Sequence, residues 1–472
     1  MPVVDTLMRS STAAAARDDD GLPPLLLTES EPESLDLTQA QANALAKARG
    51  RTGRNWLQLD FGEQTGRWIV TPRNFVGSFI AAGLSVIVRP KIKPENLFAL
   101  LEVGLPRAAW RQEATDYAST YELLPALVSF FARTAETALA RGLFHHYRRD
   151  EGDLLALRGR IDFARQFRRG GVLVPIACSW EEFTPDVDEN RCLRVAARRS
   201  LQVQGVPGDD QRRLHRLLAA LDSVGEPAVS TALNRLHWMQ YTRLNEHYRP
   251  ALGLARLILS NFTLQDRHGD TSASAFMLDM NRLFENFITT RLQRKLGSLF
   301  DVREQATSAF GESEVIENRQ KHVSVRPDLL LRQGGRVVGV ADIKYKLAAR
   351  DKRTDPDGAY GRASDYYQLL AYATALKLKE GTLIYCTDVN RDESSEPDGP
   401  VGSDRASSGT GEASNHDGSV TPLVESTITV QHVGTKLHAI AIDLSGSPSS
   451  IDAQINALAG HLETSAERSV AP

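Results

Sequence analysis

Asp328, Asp342 and Lys344 are the residues of this chain whose types and spacing could do chemistry together. Arg326-Pro327-Asp328 and Ala341-Asp342-Ile343-Lys344 stand on either side of Gly334-Gly335, in two strand-forming runs, Val323 to Leu331 and Val337 to Lys344. A run, a glycine pair and a second run predict a β-hairpin. With the turn centred on the glycines, Asp328 falls opposite Ala341 and within a diagonal step of Asp342. Side chains alternate along a strand, so Asp342 and Lys344 share one face while Ile343 points the other way. Two carboxylates and an ammonium on one spot suit a divalent cation whose bound water is made nucleophilic, with the lysine neutralising charge as a phosphodiester is attacked. The chemistry expected is that of a nuclease.

The hairpin alone is a short motif, and Pro-Asp followed by Asp-x-Lys occurs by chance on many surfaces. Its position adds weight, because Val337-Val338-Gly339-Val340-Ala341 is nearly all apolar and reads as a buried central strand, where a charged pair needs a reason. Two further segments supply one. Phe276 to Ile288 is read as a helix with Met280, Leu283, Phe284, Phe287 and Ile288 as its core stripe. Glu285 sits at the stripe's edge, from where its carboxylate could reach a metal on the hairpin; the plainer reading is a solvated flank. Asp365 to Tyr372 opens a second helix in which Gln368 and Tyr372, four apart, lie on one face and could orient a phosphate or Lys344. The plainer reading there is a core helix with a polar edge.

This order, Glu on a helix, Pro-Asp and Asp-x-Lys on strands, Gln-x-x-x-Tyr on a helix, resembles the active-site pattern of the PD-(D/E)XK nucleases. The text Met280-Asn281-x-Leu283-Phe284-Glu285-x-Phe287 with Asp342-x-Lys344-Tyr345-Lys346 further resembles the McrC family, nuclease subunits of McrBC modification-dependent restriction systems. Ile87-x-x-Pro90-Lys91-Ile92, Leu157-x-Gly159-Arg160-Ile161 and Asp186-x-x-x-Asn190-Arg191-x-Leu193 are similar to that family too, so the resemblance spans roughly residues 55 to 390. It implies an endonuclease in which Asp328 and Asp342 hold magnesium, for which manganese can substitute, the Ile343 carbonyl adds a ligand, and Lys344 stabilises the attacked phosphate or positions water. Glu285 would complete a second metal site. The partners it implies are double-stranded DNA and a McrB-like ring of GTP-hydrolysing AAA+ subunits, contacted by the N-terminal region. Alternatives remain open at this stage: a free-standing RecB-like exonuclease, an adaptor with a vestigial site that stimulates an NTPase, or a DNA-binding protein without chemistry.

Composition agrees with an enzyme that does not hold DNA unaided. Of 472 residues, 56 are Lys or Arg and 59 Asp or Glu, so no global basic field exists. The arginine-dense run with Arg148, Arg149, Arg158, Arg160, Arg165, Arg168 and Arg169 is interleaved with Asp150, Glu151 and Asp162 and reads as a solvated surface. Cys178, Cys192 and Cys386 lack the spacing of a zinc site or iron-sulfur cluster, His145-His146 and His237 lack ligand spacing, and there is no GxxxxGK[ST] phosphate loop, so this chain is expected to bind no nucleotide itself. With no secretory signal and no apolar run near twenty residues, a cytoplasmic setting and no membrane association are expected.

The fold class expected is an N-terminal α+β region followed by an α/β PD-(D/E)XK nuclease domain with a mixed central sheet. Residues 1–20 read as a disordered tail, 21–180 as an α+β partner-docking domain, 181–265 as a helical connection and 266–472 as the nuclease, interrupted by a disordered Ser, Gly, Asp and Pro-rich insertion at 389–420. Strands are expected at Asn55–Phe61, Trp68–Pro72, Val86–Ile92, Leu154–Phe163 and Val172–Trp180, and a helix over Leu123–Arg141. Ser426–His432 and Leu437–Leu444 predict a closing hairpin around Gly434, before a helix over Ile451–Leu462.

Overall fold

A computed structural model of the protein describes residues 24–50, 53–101, 122–170, 173–265, 273–313, 321–347, 363–387 and 424–470. The expected N-terminal tail and the 389–420 insertion lie outside the described residues. The chain divides into two compact units, one comprising residues 1–89 and 103–278, the other 90–102 and 279–472.

In the first unit, β1 (Leu25–Thr28), β6 (Leu84–Arg89), β5 (Phe75–Ala81), β11 (Ala273–Asp279) and β10 (Phe262–Gln265) form a five-stranded sheet in that order. Strands β2 (Glu33–Leu35), β4 (Arg67–Pro72) and β3 (Leu57–Gly62) form an antiparallel sheet beside helix α1 (Gln39–Lys47), and Leu27, Leu45, Trp56, Leu57, Val70, Phe79 and Val88 share one core. Two expectations change here. Phe276 to Asp279 is strand, not helix, because it completes this distant sheet: Gly77, at φ 140°, lets β5 approach so closely that a Cβ there would meet the Phe276 carbonyl oxygen at 2.0 Å. The strand expected over Val86–Ile92 ends at Arg89, and Pro94 opens helix α2 (Pro94–Leu100), where a missing N–H costs nothing.

The helical bundle of this unit contains α3 (Leu123–Leu139), α5 (Asp188–Ser200), α6 (Gly208–Ala220), α7 (Val229–Trp238) and α8 (Arg249–Asn261). Between α3 and α5 the chain forms β7 (His146–Leu154), β8 (Arg160–Ile161), α4 (Phe163–Phe167) and β9 (Ile176–Thr184). The strand expected over Leu154–Phe163 is therefore displaced: the long strand lies before it, in the charge-rich text, where alternation of acids and arginines hid it. Its arginines are largely ion-paired, Arg148 with Asp150 and Asp186, Arg149 with Glu151, Arg158 with Glu182, and Arg165 and Arg169 with Asp153. Asp186 and Asn190 explain their shared motif structurally. Asp186 accepts two hydrogen bonds from Arg191 (2.7 and 2.6 Å), one from Arg148 (2.7 Å) and one from the Gly225 N–H (2.8 Å), while the Asn190 amide donates to the Phe144 and Pro185 carbonyls. The Arg191 bonds hold the Asp186 carboxyl well below the usual range. Asp186→Asn should cost about 2 kcal/mol, the scale of lost charge-assisted hydrogen bonds. A pKa held below its unfolded value contributes stability present above about pH 4 and lost on acidification, so the gap between wild type and variant should shrink toward pH 2 in urea melts.

The second unit is a three-layer sandwich around a six-stranded mixed sheet of order β12 (Asp301–Glu304), β15 (Leu329–Gln333), β16 (Arg336–Leu347), β17 (Glu380–Thr387), β19 (Lys436–Asp443) and β18 (Val424–Thr429). The pairs β16–β17 and β17–β19 are parallel and the others antiparallel. Helices α9 (Met280–Leu296) and α11 (Pro448–Val470) pack on one face with α2, and α10 (Ala363–Ala375) on the other, over Leu330, Val340, Leu383, Tyr385, Leu437 and Ala439. Gly381 allows α10 to sit close, since a Cβ there would meet Leu369 at 3.0 Å.

Candidate active site

Strand β16 carries the centre of the site. It runs third of six in the sheet and is buried from Val338 to Ile343, as its apolar text requires. Alternation turns Val340, Asp342, Lys344 and Lys346 toward α10, and Ala341, Ile343 and Tyr345 toward α9 and α11. The hairpin with β15 is present, with two corrections. Its first arm is not one strand: Lys321–Val325 (β14) pairs with Ser308–Ser313 (β13) in a separate two-stranded sheet, and the chain breaks at Arg326-Pro327-Asp328, where proline offers no ladder donor. The register also slips by one at a bulge between Leu331 and Arg332, so Leu329, not Asp328, faces Ala341. The slip moves Asp328 level with Asp342. The Ile343 N–H donates to Asp328 Oδ2 at 2.8 Å and fixes that carboxylate.

Lys344 Nζ stands 2.7 Å from Asp342 Oδ2 and 3.9 Å from Asp328 Oδ2. The Asp342 side chain is only 1 % exposed, and apart from the close ion pair with the Lys344 ammonium neither carboxylate oxygen has a hydrogen-bond partner among the described residues. Burial, then the Asp328 charge, push its pKa up to about 7. Burial also acts to lower Lys344, but Asp342, Asp328 and Asp365 together outweigh it and hold the ammonium above its ordinary value. An anion-rich pair of carboxylates with unfilled acceptor sites is what a hard cation would neutralise, so the donor set of Asp328 and Asp342 fits magnesium. Among the described residues, no three acidic, histidine or cysteine side chains converge to ligating distance. Glu285, on α9, instead accepts a 2.6 Å bond from the Gln305 amide, and burial, followed by the effect of Asp328, raises its pKa.

Gln368 and Tyr372 share one face of α10 as their spacing predicts. They bond to each other, Nε2 to Oη at 2.6 Å, and the tyrosine hydroxyl reaches the Arg326 carbonyl at 3.5 Å; neither hydrogen-bonds Lys344. Burial raises the Tyr372 phenol, with Asp342 and Asp328 adding to it, which places the ring within their field. Sequence reasoning gave no role to Asp365, Lys346 and Tyr385. Lys346 Nζ bridges both Asp365 oxygens at 3.0 Å, and the Tyr385 hydroxyl donates to Asp365 Oδ2 at 3.0 Å, pinning the start of α10 to β16 and β17. The signal available was parity, because Lys346 lies two residues beyond Lys344 on the same strand face.

With this geometry in place, the comparisons with known proteins are specific. The chain is similar to a chain of a Thermococcus gammatolerans assembly of McrB AAA+ hexamers with bound McrC, at 18% identity over 93% of this chain and 99% of that one, with a TM-score of 0.48. It is also similar to a chain of the cryo-EM structure of the Thermococcus gammatolerans McrBC complex, at 20% identity over 58% and 88%, with a TM-score of 0.39. No curated protein matches. The family described as McrBC 5-methylcytosine restriction system component matches residues 70–386, more than half of the sequence and the whole stretch from β4 to β17, which takes in every one of the site residues above. This protein belongs to the McrBC 5-methylcytosine restriction system component family.

Proposed function

We propose that this protein is the DNA-cleaving, McrC-type subunit of its restriction system, a magnesium-dependent endonuclease of PD-(D/E)XK type directed against foreign modified DNA. The observation that supports this most is the buried Asp342 carboxylate, with no partner among the described residues other than the Lys344 ammonium and flanked by an oriented Asp328. Asp328 and Asp342, with the Ile343 carbonyl, would hold the metal. Magnesium bound there would supply Lewis acidity toward a phosphodiester and a more acidic water. Lys344 holds a full positive charge beside the carboxylates and can pass from Asp342 to the attacked phosphate as charge develops. Tyr372 and Gln368 wall the opposite side, where a paired hydroxyl and amide can accept or donate to a nucleic-acid backbone.

Family membership and the absence of a phosphate-loop motif from this sequence support a separate nucleotide-hydrolysing partner, a McrB-like AAA+ GTPase ring. Chemistry and partner stimulation should then separate. With the partner, GTP and magnesium, Lys344→Ala and Asp328→Ala should each lower plasmid linearisation by roughly 10²-fold or more, the scale of a lost charge-stabilising group, while still raising the partner's phosphate release. Full cleavage by either variant would remove the site assignment. Efficient cleavage from free ends, without partner or GTP, would replace this reading with a free-standing exonuclease.

A further inference from the structure

Gln305 follows strand β12 at the point where the backbone turns, and at φ 45° it holds a left-handed conformation that a glutamine seldom adopts. All the polar groups of its backbone and side chain that hydrogen-bond do so to residues around the site. Its N–H donates to the Asp328 carbonyl at 3.0 Å, and its amide Nε2 donates to Glu285 Oε1 at 2.6 Å. Its own carbonyl accepts from Arg326 Nε at 3.0 Å, and its Oε1 accepts from Arg326 Nη2 at 2.7 Å. The Arg326 carbonyl in turn accepts from Tyr372, which holds Gln368. One residue therefore links α9, the break before β15 and, through Arg326, α10.

Arg326 is exposed, and among the described residues it has no carboxylate partner. A guanidinium fastened on two neutral oxygens keeps its whole charge for an incoming anion while losing little freedom on binding it. Glu285 is held just as firmly, by the same residue whose N–H is fastened to the Asp328 carbonyl. Since glycine would adopt this backbone without strain, the side chain's contacts are what a glutamine adds here.

We propose that Gln305 is the positioning residue of this site, setting the Glu285 carboxylate toward the metal-holding pair and presenting the Arg326 guanidinium to a DNA phosphate. The inference rests on the nuclease reading and deepens it by naming how the phosphate-facing cation is oriented.

The test uses the full chain with its AAA+ partner. Affinity for duplex DNA is read in calcium at several salt concentrations, and manganese affinity by electron paramagnetic resonance titration. Gln305→Gly, which relieves the backbone, should melt no lower than wild type, yet weaken DNA binding about tenfold with a salt slope smaller by about one phosphate contact, and weaken manganese binding several-fold. Placed in an Arg326→Met background it should cause no further loss of DNA affinity, and in a Glu285→Gln background no further loss of manganese affinity. Should the glycine variant melt lower than wild type, Gln305→Asn, which also tolerates the left-handed region, decides by the same readouts. DNA and manganese affinities within twofold of wild type would overturn the proposal, as would losses that persist undiminished in those backgrounds. A wild-type protein that binds no manganese overturns the nuclease reading itself, and with it this one.

Discussion

Replacing Asp342 with asparagine should abolish DNA cleavage and, in the absence of metal, make the protein more stable. The carboxylate is 1 % exposed and among the described residues has only the Lys344 ammonium as a partner, and with Asp328 and Lys344 it forms a cluster that carries one net negative charge when all three are ionised. Asparagine keeps the shape and leaves Asp328 with Lys344 as a neutral pair. A folded-state pKa near 7, above the ordinary 3.8 of an aspartate, means that the fold binds this proton more tightly than the unfolded chain does. Stability from this group is therefore greatest below about pH 4, declines as pH rises toward about 7, and is flat beyond. At roughly 1.4 kcal/mol per pKa unit the ionised group costs the metal-free fold on the order of 4 kcal/mol. Asp342→Asn should then match wild type in melting temperature at pH 4 and exceed it by about 5 °C at pH 8. Magnesium should reverse the order, because it stabilises only the wild type. Calorimetry with and without magnesium at the two pH values decides this; an asparagine variant that melts lower at pH 8 without metal would show that the carboxylate is satisfied in a way the geometry does not reveal.

The part of this site legible in the sequence was the part carried by period and order. Asp342 and Lys344 share a face because a strand alternates, Gln368 and Tyr372 share one because a helix repeats every 3.6 residues, and the burial of β16 follows from its unbroken apolar text. The α9 stripe of Met280, Leu283, Phe284, Phe287 and Ile288 is buried as its spacing requires. The hairpin around Gly434 also follows from local pattern, whereas the mixed sheet was expected from the family resemblance.

What the sequence hid was set by long-range pairing. The strand over Phe276–Asp279 looks helical because its apolar residues run straight into α9, and only the approach of β5 at Gly77 makes it a strand. The bulge takes its extra residue, Val338, from β16 opposite Leu331 and Arg332, where the neighbouring Gly339 was the one local hint, and it decides that Asp328 stands level with Asp342. Gln305 was invisible for the same reason: its partners lie 20, 21 and 23 positions away, and nothing in the text around it marks a left-handed glutamine. Charge-rich β7 shows a further limit, for a strand whose exposed arginines are matched across the ladder, as Arg148 is level with Glu182 and Arg149 with Glu181, has no apolar face to announce it.

The segment Pro90–Glu102 leads to the second large expected effect. Although it precedes the rest of its unit by nearly two hundred residues, it belongs to the second unit, and Ile92, Leu97, Phe98, Leu100 and Leu101 are buried. The Asn96 amide donates to the Leu444 carbonyl at 2.5 Å and the Gly446 carbonyl at 3.0 Å, and Lys91 Nζ lies 4.4 Å from the centre of the Tyr345 ring, next in sequence to Lys344. At about 1.5–3 kcal/mol for each large apolar side chain, the strap contributes roughly 10 kcal/mol of burial. A whole domain has only about 5–15 kcal/mol of net stability. A fragment of residues 279–472, which contains every proposed catalytic side chain, should therefore neither fold nor cut DNA. Joining residues 88–103 to its N-terminus through a flexible linker should restore a cooperative melt, and Phe98→Ala within the joined strap should remove most of that gain, costing about 3–5 kcal/mol. Circular dichroism melts of the three proteins distinguish the outcomes. A bare 279–472 fragment that melts cooperatively near the full-length temperature would mean that the sheet closes without α2; a joined fragment that folds but does not cut, even with the partner and GTP, would place a further requirement for cleavage in the first unit rather than in the strap.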